Sequence, residues 1–117
     1  MPPSVLIVDD HQSFRTIARA VLADGGCDVV GEAADAASAL AAARELRPDC
    51  VLLDVELGDV DGFEVADALI AERDCPAVIM TSGRDPREIE PLIPASAARG
   101  FIAKERLSAG ALEEALR

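Results

Sequence analysis

The chain alternates short apolar runs with segments whose apolar residues recur at helical spacing. Most of the runs are continuous rather than alternating, which is typical of strands covered on both faces of a sheet. The runs that predict strands occupy residues 5–8, 29–30, 51–53, 77–80 and 101–103. Five strands separated by longer polar and apolar segments are therefore expected.

The segments between these runs have the pattern of amphipathic helices. The first has apolar residues at i, i+3, i+4, i+7 and i+8, which form one helix face; they are Phe14, Ile17, Ala18, Val21 and Leu22. Similar patterns predict a second helix over residues 35–47, a third near residues 63–70 and a last near residues 111–116. Asp35 and Ser108 are the predicted N-caps of the second and last helices.

The segment at residues 85–98 begins like a helix but does not continue as one. It opens with an N-cap residue, a first-turn proline and a glutamate, in the order Asp85, Pro86 and Glu88. Pro91 and Pro94 follow, and each removes an amide donor and clashes with the preceding turn, at about 3 kcal/mol or more inside a helix. We therefore predict a fourth helix that is shortened or kinked by these two prolines.

The order of elements predicts the fold class. Strands that alternate with helices indicate a parallel sheet with right-handed crossovers and helices on both faces. A closed barrel of this type needs about 250 residues, and this chain has 117. We predict an α/β fold with an open five-stranded parallel sheet, forming a single domain over residues 1–117.

The acidic composition and the lack of long apolar stretches argue against nucleic acid and membranes as partners. Asp and Glu total 22 against 11 Lys and Arg, a net charge of −11. Direct nucleic-acid binding by this domain is not expected, because phosphate binding needs a basic surface. No apolar stretch reaches membrane-spanning length, no signal-peptide pattern opens the chain, and three cysteines lack CxxC spacing. We expect a cytoplasmic protein with reduced, mostly buried thiols and no membrane partner.

Polar residues follow four of the five predicted strands. These residues are Asp9, Asp10, Asp54, Thr81, Ser82 and Lys104. The carboxyl ends of parallel strands lie at one edge of an open sheet, where such folds bind ligands. Taken singly, the first two acids and the hydroxyls could be caps or turns, and the lysine a solvated surface residue. Those readings do not explain why all six should share one edge.

The residue types at this edge favour phosphoryl chemistry. Neighbouring carboxylates repel one another, and a hard cation such as Mg²⁺ relieves the repulsion through oxygen ligands. Asp54 could then act as a nucleophile toward a phosphoryl group. Lys104 would pair with one phosphoryl oxygen, and Thr81 would donate to another, as phosphoryl transfer requires.

With these residues in place, the chain resembles the receiver domain of bacterial two-component response regulators. The similarity runs along nearly the whole chain, in "VDD", "LLDVELGDVDGFEV", "IMTSG" and "GFIAK". "DDH" and "VVGEAADAASAL" are most similar to the subfamily that carries a helix-turn-helix output domain. The resemblance implies a flavodoxin-like sheet with strand order 2-1-3-4-5.

The resemblance also implies a role for each site residue. Asp54 is expected to be the phosphoacceptor, with Mg²⁺ held by the carboxylates of Asp9, Asp10 and Asp54 and by the backbone carbonyl of Glu56. Thr81, Ser82 and Lys104 are expected to bind the phosphoryl group. Thr81 is the expected switch hydroxyl, and Phe101 is the aromatic residue that turns inward with it, although a single aromatic in a strand is also an ordinary core residue.

The function implied is signal transduction rather than enzymatic turnover. A histidine kinase or phosphotransfer protein would phosphorylate Asp54, and the changed conformation would control an output domain, a partner or a homodimer. Two alternatives stay open: an interaction module that works without phosphate, because the two prolines alter the fourth helix on the usual partner face, and a Mg²⁺-dependent phosphatase. The phosphatase is disfavoured because Glu56 stands where such enzymes have a second Asp.

Overall fold

A computed structural model describes residues 2–117, and its centre is a five-stranded parallel sheet. The strands are β1 (Ser4–Val8), β2 (Asp28–Ala33), β3 (Cys50–Asp54), β4 (Ala77–Ser82) and β5 (Gly100–Ala103). Their order across the sheet is β2-β1-β3-β4-β5, and every neighbouring pair is parallel. The predicted fold class and strand order are confirmed.

Five α-helices connect and flank these strands. They are α1 (Gln12–Asp24), α2 (Ala36–Leu46), α3 (Gly62–Ile70), α4 (Pro86–Ile89) and α5 (Ala109–Leu116). The predicted caps are confirmed, since Asp35 accepts a hydrogen bond from the Ser38 amide and Ser108 accepts one from the Ala111 amide. None of the helices in residues 2–117 is long and apolar enough to cross a membrane.

Two layers of core side chains cover the faces of the sheet, because successive strand residues point to opposite sides. On one face, α1 and α5 contribute Ala18, Leu22, Ala109 and Leu112 to a cluster that contains Ile7 and Leu52. On the other face, α2, α3 and α4 pack against a cluster that contains Leu6, Val8, Val51, Leu53, Val78 and Met80. The continuous apolar runs of the sequence therefore mark strands that are buried on both faces.

The α4 segment, residues 85–98, is as short and irregular as its prolines predict. Asp85 caps α4 by accepting from the Arg87 amide, and Pro86 occupies the first turn. After one turn the chain tightens into a 3₁₀ helix at Glu90–Leu92 and then into turns that lead to β5. Ile89 is the one residue of α4 and this 3₁₀ helix that is buried.

A small hairpin follows β3 and precedes α3. It pairs Glu56–Leu57 with Val60–Asp61 in antiparallel fashion, so that Gly58 and residue 59 form its two-residue loop. Gly58 has a φ of +63°, which a two-residue hairpin loop requires and which L side chains disfavour. The chain after β3 is thus a closed turn, and Asp61 caps α3 by accepting from the Phe63 amide.

The cysteines only partly match expectation. Cys27 and Cys50 are buried free thiols, as predicted, but Cys75 is exposed in the turn before β4. Burial raises the pKa of the Cys50 thiol to about 12, so this group stays protonated and acts as a small apolar residue.

Candidate functional site

The register of the sheet brings the predicted site residues to one edge. Val8 pairs with Leu53 across β1 and β3, so Asp9 and Asp54 emerge side by side. Asp54 pairs directly with Thr81 of β4, and Lys104 follows the last residue of β5. The edge is therefore assembled by strand pairing between segments that lie far apart in the sequence.

Asp54 is fixed at the end of β3 by contacts to both carboxylate oxygens. Its side chain accepts a hydrogen bond from the Glu56 amide at 3.1 Å through Oδ1, and Oδ2 lies 3.2 Å from Nζ of Lys104. The Val55 amide donates to the Thr81 carbonyl at 2.9 Å, which holds the end of the strand in line with β4. Asp54 is only 4% exposed, so a carboxylate in a nearly core position faces the cavity at this edge.

Asp9 is more deeply buried than Asp54, with no exposed surface. Its Oδ1 accepts from the His11 amide at 2.8 Å, and its backbone carbonyl accepts from Nη1 of Arg15 at 2.6 Å. Its Oδ2 lies 2.6 Å from Nζ of Lys104 and accepts no other hydrogen bond within residues 2–117. The ammonium of Lys104 is therefore the partner of this buried oxygen.

Lys104 places one ammonium group between the two buried carboxylates. Its Nζ also lies 4.4 Å from the centre of the Phe14 ring, a distance at which the ring face attracts a cation. Burial by itself would lower the pKa of Lys104, but hydrogen bonding to Asp9 and the charges of Asp54 and Asp9 outweigh it and raise the pKa. Lys104 is therefore a fixed positive charge at this site.

The environment of Asp54 disfavours its ionised form. Burial raises its pKa to about 6, and the nearby charge of Asp9 adds to the increase, although the Glu56 amide and Lys104 oppose it. With a pKa of about 6, the carboxyl is mostly ionised at pH 7 but is protonated more often than an ordinary aspartate. A cation beside it would favour the charged, nucleophilic form.

The donor set fits a hard divalent cation. Oxygen or nitrogen atoms of Asp9, Asp10, His11 and Asp54 all lie within 4.8 Å of one another. Carboxylate oxygens are the ligands that Mg²⁺ prefers, and Oδ2 of Asp9, which contacts only the ammonium of Lys104, could also face the ion or its bound waters. His11 extends 65% of its side chain into solvent and lies 3.1 Å from Asp10, consistent with a residue at the start of α1. The Glu56 carbonyl as a ligand stays a prediction.

A cavity of about 250 Å³ opens at this edge. Its walls carry six of the polar residues discussed so far, which are Asp10, His11, Asp54, Glu56, Ser82 and Lys104. Ser82 is buried and its Oγ accepts from the Arg84 amide at 3.0 Å, which leaves the hydroxyl proton free to donate toward the cavity. Acid, hydroxyl and ammonium groups thus line a single opening.

The two predicted switch residues lie on neighbouring strands behind this cavity. Thr81 is 1% exposed and pairs across the sheet with Ile102, next to Phe101. Phe101 is half-buried and lines a separate groove between the α4 segment and α5, along with Arg87 and Arg106. The two residues occupy adjacent register positions, and their role as a switch stays a prediction.

Three residues at the site were not identified from the sequence. Phe14 was assigned to the apolar face of α1, but its ring also supports Lys104. Arg15 donates to the Asp9 carbonyl, and Arg84 lines the cavity and pairs with Glu56 at 2.9 Å. Nearness to "DDH" and to "TSG" in the sequence is the signal that could have singled them out.

Comparison with known proteins agrees with this geometry. The family model of the response regulator receiver domain matches residues 5–117. The signal receiver domain of a NarL response regulator from Mycobacterium tuberculosis superimposes with a TM-score of 0.81, at 32% identity over 98% of this chain and 97% of that one. A LuxR-family two-component response regulator from Aurantimonas also gives a TM-score of 0.81, at 25% identity over 99% of this chain and 83% of that one.

Curated relatives carry the same domain within longer proteins. One is protein-glutamate methylesterase/protein-glutamine glutaminase 2 of Anaeromyxobacter dehalogenans, 39% identical over 113 residues, which are 96% of this chain and 29% of that protein. The curated relatives are much longer than this chain, which spans 22% of one and 51% of another.

The fold and the acid-lined edge define a receiver domain of two-component signal transduction. The chain belongs to the response regulator receiver domain family.

Proposed function

We propose that this chain accepts a phosphoryl group on Asp54 from a phosphohistidine of a histidine kinase or phosphotransfer protein, and that the charge change switches its partner surface. The observation that carries the proposal is the arrangement of Asp54, which is buried, aimed into the cavity and paired with Lys104 at 3.2 Å. A solvated carboxylate would not need such a setting.

The transfer itself moves one phosphoryl group between two residues. An Asp54 carboxylate oxygen attacks phosphorus, the new P–O bond forms as the donor P–N bond breaks, and the electron pair of that bond stays on the departing imidazole, which takes up a proton. Lys104 would pair with the charge that develops on the equatorial oxygens. The hydroxyls of Ser82, which lines the cavity, and of Thr81, which pairs with Asp54 across the sheet, would donate to them. The Glu56 amide keeps Oδ1 in its orientation throughout.

The residues that would hold Mg²⁺ are Asp9, Asp10 and Asp54, with the Glu56 carbonyl as the fourth protein ligand. When bound, the ion would neutralise the charge of the carboxylates and of the incoming phosphoryl oxygens. The support for this assignment is the cluster of Asp9, Asp10, His11 and Asp54, whose ligand atoms lie within 4.8 Å of one another.

The downstream step would be a switch that involves Thr81 and Phe101. The phosphoryl group draws the Thr81 hydroxyl toward it, and the space vacated lets Phe101 turn from the groove beside α4 into the core. Output through an attached helix-turn-helix domain, a partner protein or a homodimer would follow from the changed surface. The NarL and LuxR-family similarity supports a transcriptional output. We place the domain in the cytoplasm because it belongs to the receiver domain family.

A phosphatase that turns over many substrates is a weaker candidate. The position two residues after the acceptor is Glu56, and its carboxylate is paired with Arg84 rather than free to act as a general acid. An interaction module that ignores phosphate gains support from the rebuilt α4 segment. Turnover of a small phosphate ester would favour the phosphatase. Equal partner affinity for wild type and Asp54→Asn would favour the interaction module.

The direct experiment is incubation with a small phosphodonor and Mg²⁺, followed by intact mass. Wild type is expected to gain one phosphoryl group, and Asp54→Asn none. Asp59→Asn is the matched control, because this exposed acid lies in the same acidic stretch but outside the cavity that Asp54 faces. Equal gain by wild type and Asp54→Asn would show that the acceptor has been assigned wrongly.

A further inference from the structure

Arg84 joins the cavity of Asp54 to the first turn of α4. It lines the cavity, follows the end of β4 by two residues, and makes two ion pairs. Its Nη1 lies 2.9 Å from Oε1 of Glu56, and its Nη2 lies 3.0 Å from Oε2 of Glu88. One guanidinium therefore connects the hairpin after β3 with α4, the short helix after β4.

Glu56 and Arg84 each contact a residue of the proposed chemistry through the backbone amide. The Glu56 amide donates to Asp54 at 3.1 Å, so Glu56 contacts the acceptor through its backbone and Arg84 through its side chain. The Arg84 amide donates to Oγ of Ser82 at 3.0 Å. A change of charge on Asp54 would reach Arg84 through space and through the Glu56 contact.

The ion pairs of Arg84 contribute little to the stability of the fold, so Arg84 can exchange one partner for another at low cost. The three side chains involved are all more than half exposed, with Arg84 at 53%, Glu56 at 61% and Glu88 at 56%. Pairs this exposed contribute little to stability because water and salt screen them. A phosphoryl group on Asp54 would add about −1.5 to −2 charges and three acceptor oxygens nearby. A guanidinium binds such oxygens with paired donors in its rigid plane.

We propose that Arg84 is a positioning residue that pairs with Glu56 and Glu88 before phosphorylation and exchanges Glu88 for a phosphoryl oxygen afterwards. In that state it retains the phosphoryl group against hydrolysis and frees the first turn of α4. The inference rests on the proposed function, because it requires a phosphoryl group on Asp54. It adds a route from the acceptor to α4 that does not pass through Thr81 and Phe101.

The architecture of α4 makes it responsive to the loss of one contact. The helix has four residues, and among the described residues Arg84 is the one ion-pair partner of Glu88. Ile89 anchors the next position in the core at 2% exposed. Releasing Glu88 therefore loosens the first turn while the buried isoleucine holds its far end.

The first test measures how fast the phosphorylated protein loses its phosphoryl group. Wild type, Arg84→Gln, Arg84→Lys and Arg87→Gln are phosphorylated with a small phosphodonor and Mg²⁺, the donor is removed, and intact mass is followed with time. Arg84→Gln is expected to lose phosphate about three- to tenfold faster, with Arg84→Lys between it and wild type. Arg87→Gln is the matched control, since this α4 arginine pairs with Asp85 and lies outside the cavity.

The second test separates exchange from a merely structural contact. The amide NMR signals of Glu88 and Ile89 are compared before and after phosphorylation. They are expected to shift in wild type and to lose most of that shift in Arg84→Gln. Glu88→Gln also removes the ion pair, but it leaves Arg84 free for the phosphoryl group. Its phosphate loss should therefore be as slow as in wild type or slower.

The outcomes distinguish this inference from the proposal beneath it. If wild type gains no phosphate, the proposed function fails and the inference falls with it. If wild type gains phosphate but Arg84→Gln keeps the wild-type lifetime or the wild-type shift at α4, the inference is overturned and the proposed function stands. Faster loss in Glu88→Gln than in wild type would also overturn the exchange.

Discussion

The acid-lined edge with Asp9, Asp54 and Lys104 is called the acceptor edge, because Asp54 is the proposed phosphoacceptor. It lies at the same end of the sheet as the α4 segment, but the two regions are held in opposite ways. At the acceptor edge, Asp9 and Asp54 are 0% and 4% exposed, and strand pairing plus Lys104 fixes them. In the α4 segment, Ile89 is the buried residue of the α-helical turn and the 3₁₀ turn, and the ion pairs are exposed. Ile93, Ala97 and Ala98 pack against the same core but are only partly buried. The first region is rigid and keeps like charges close together in a poorly solvated place. The second region can rearrange at a low cost in free energy.

This contrast suggests how a receiver of this kind could work. Buried like charges make the acceptor edge responsive to a change in charge, because each added charge acts in a poorly solvated place. The α4 segment has few buried contacts to break, so a modest electrostatic change can alter it. A rigid, charged region placed beside a loosely held one favours a signal that starts at Asp54 and is read at α4.

Removing Lys104 should have the largest effect, because it takes away the positive charge that the acceptor edge is built around. Lys104→Gln is expected to slow phosphorylation by a small phosphodonor by about 100-fold or more, as loss of a charge-stabilising donor does. The measurement is the rate of mass gain at fixed donor and Mg²⁺. Arg106→Gln, in the same 3₁₀ turn but exposed, should react at the wild-type rate. Equal rates in the two variants would contradict the role of Lys104.

A second variant tests whether the α4 segment depends on one side chain. Ile89→Ala should lower the free energy of unfolding by about 2–3 kcal/mol, because it leaves a cavity under a helix that has no other buried residue. Leu92→Ala, at a position that is 50% exposed, should change it by less than about 0.5 kcal/mol. Urea denaturation of both variants decides the matter. A similar loss in the two would mean that the segment is held along its whole length.

The charge stored at the acceptor edge predicts a stabilising substitution. The folded pKa of Asp54, about 6, lies above the usual value for Asp, so folding is less favourable once this group ionises. Asp54→Asn should therefore raise the free energy of unfolding at pH 8 without Mg²⁺ by about 1–2 kcal/mol. The gain should shrink as the pH falls from about 6 and disappear below about 4, once the carboxyl is protonated in the unfolded as well as the folded state.

Urea denaturation across that pH range checks the sign. Added Mg²⁺ should stabilise wild type more than Asp54→Asn and so reduce the difference. If Asp54→Asn is less stable than wild type at pH 8, the ionised Asp54 carboxylate does not destabilise the folded protein.

The smallest effect is expected from the two prolines of the α4 segment. Replacing both Pro91 and Pro94 with Ala restores two amide donors and should lengthen α4 by about one turn, with a change in stability below about 1 kcal/mol. Far-UV circular dichroism should show the added helix. Pro86→Ala is the control, because a first-turn proline is already compatible with the helix. No gain in helix from the double change would mean that packing, rather than the prolines, ends α4.

Much of the acceptor edge could be predicted from the sequence, because strand pairing is a long-range consequence of local pattern. A continuous apolar run that ends in Asp54 indicates a buried strand, and parallel pairing then brings Asp9 and Lys104 to the same edge. The break in α4 was equally predictable, since proline acts through its own covalent structure.

The choice of side-chain partners could not be predicted in this way. Arg84 pairs with Glu56 across 28 positions of sequence, and Phe14 lies beneath Lys104, because loop geometry beyond the strands decides which long side chains meet. Cys75 is exposed although it precedes an apolar run, since the turn before β4 directs it outward. Periodicity predicts elements and their faces, but contacts between loops depend on the assembled fold.

The measurement that tests the central claim most directly is the location of the phosphoryl group in the phosphorylated chain. Borohydride reduces an acyl phosphate to the alcohol and releases phosphate, so peptide mass analysis after this treatment marks the acceptor. The account predicts that the mark falls on Asp54 alone. A mark on Asp10, Asp59 or another acid, with Asp54 unmodified, would contradict it.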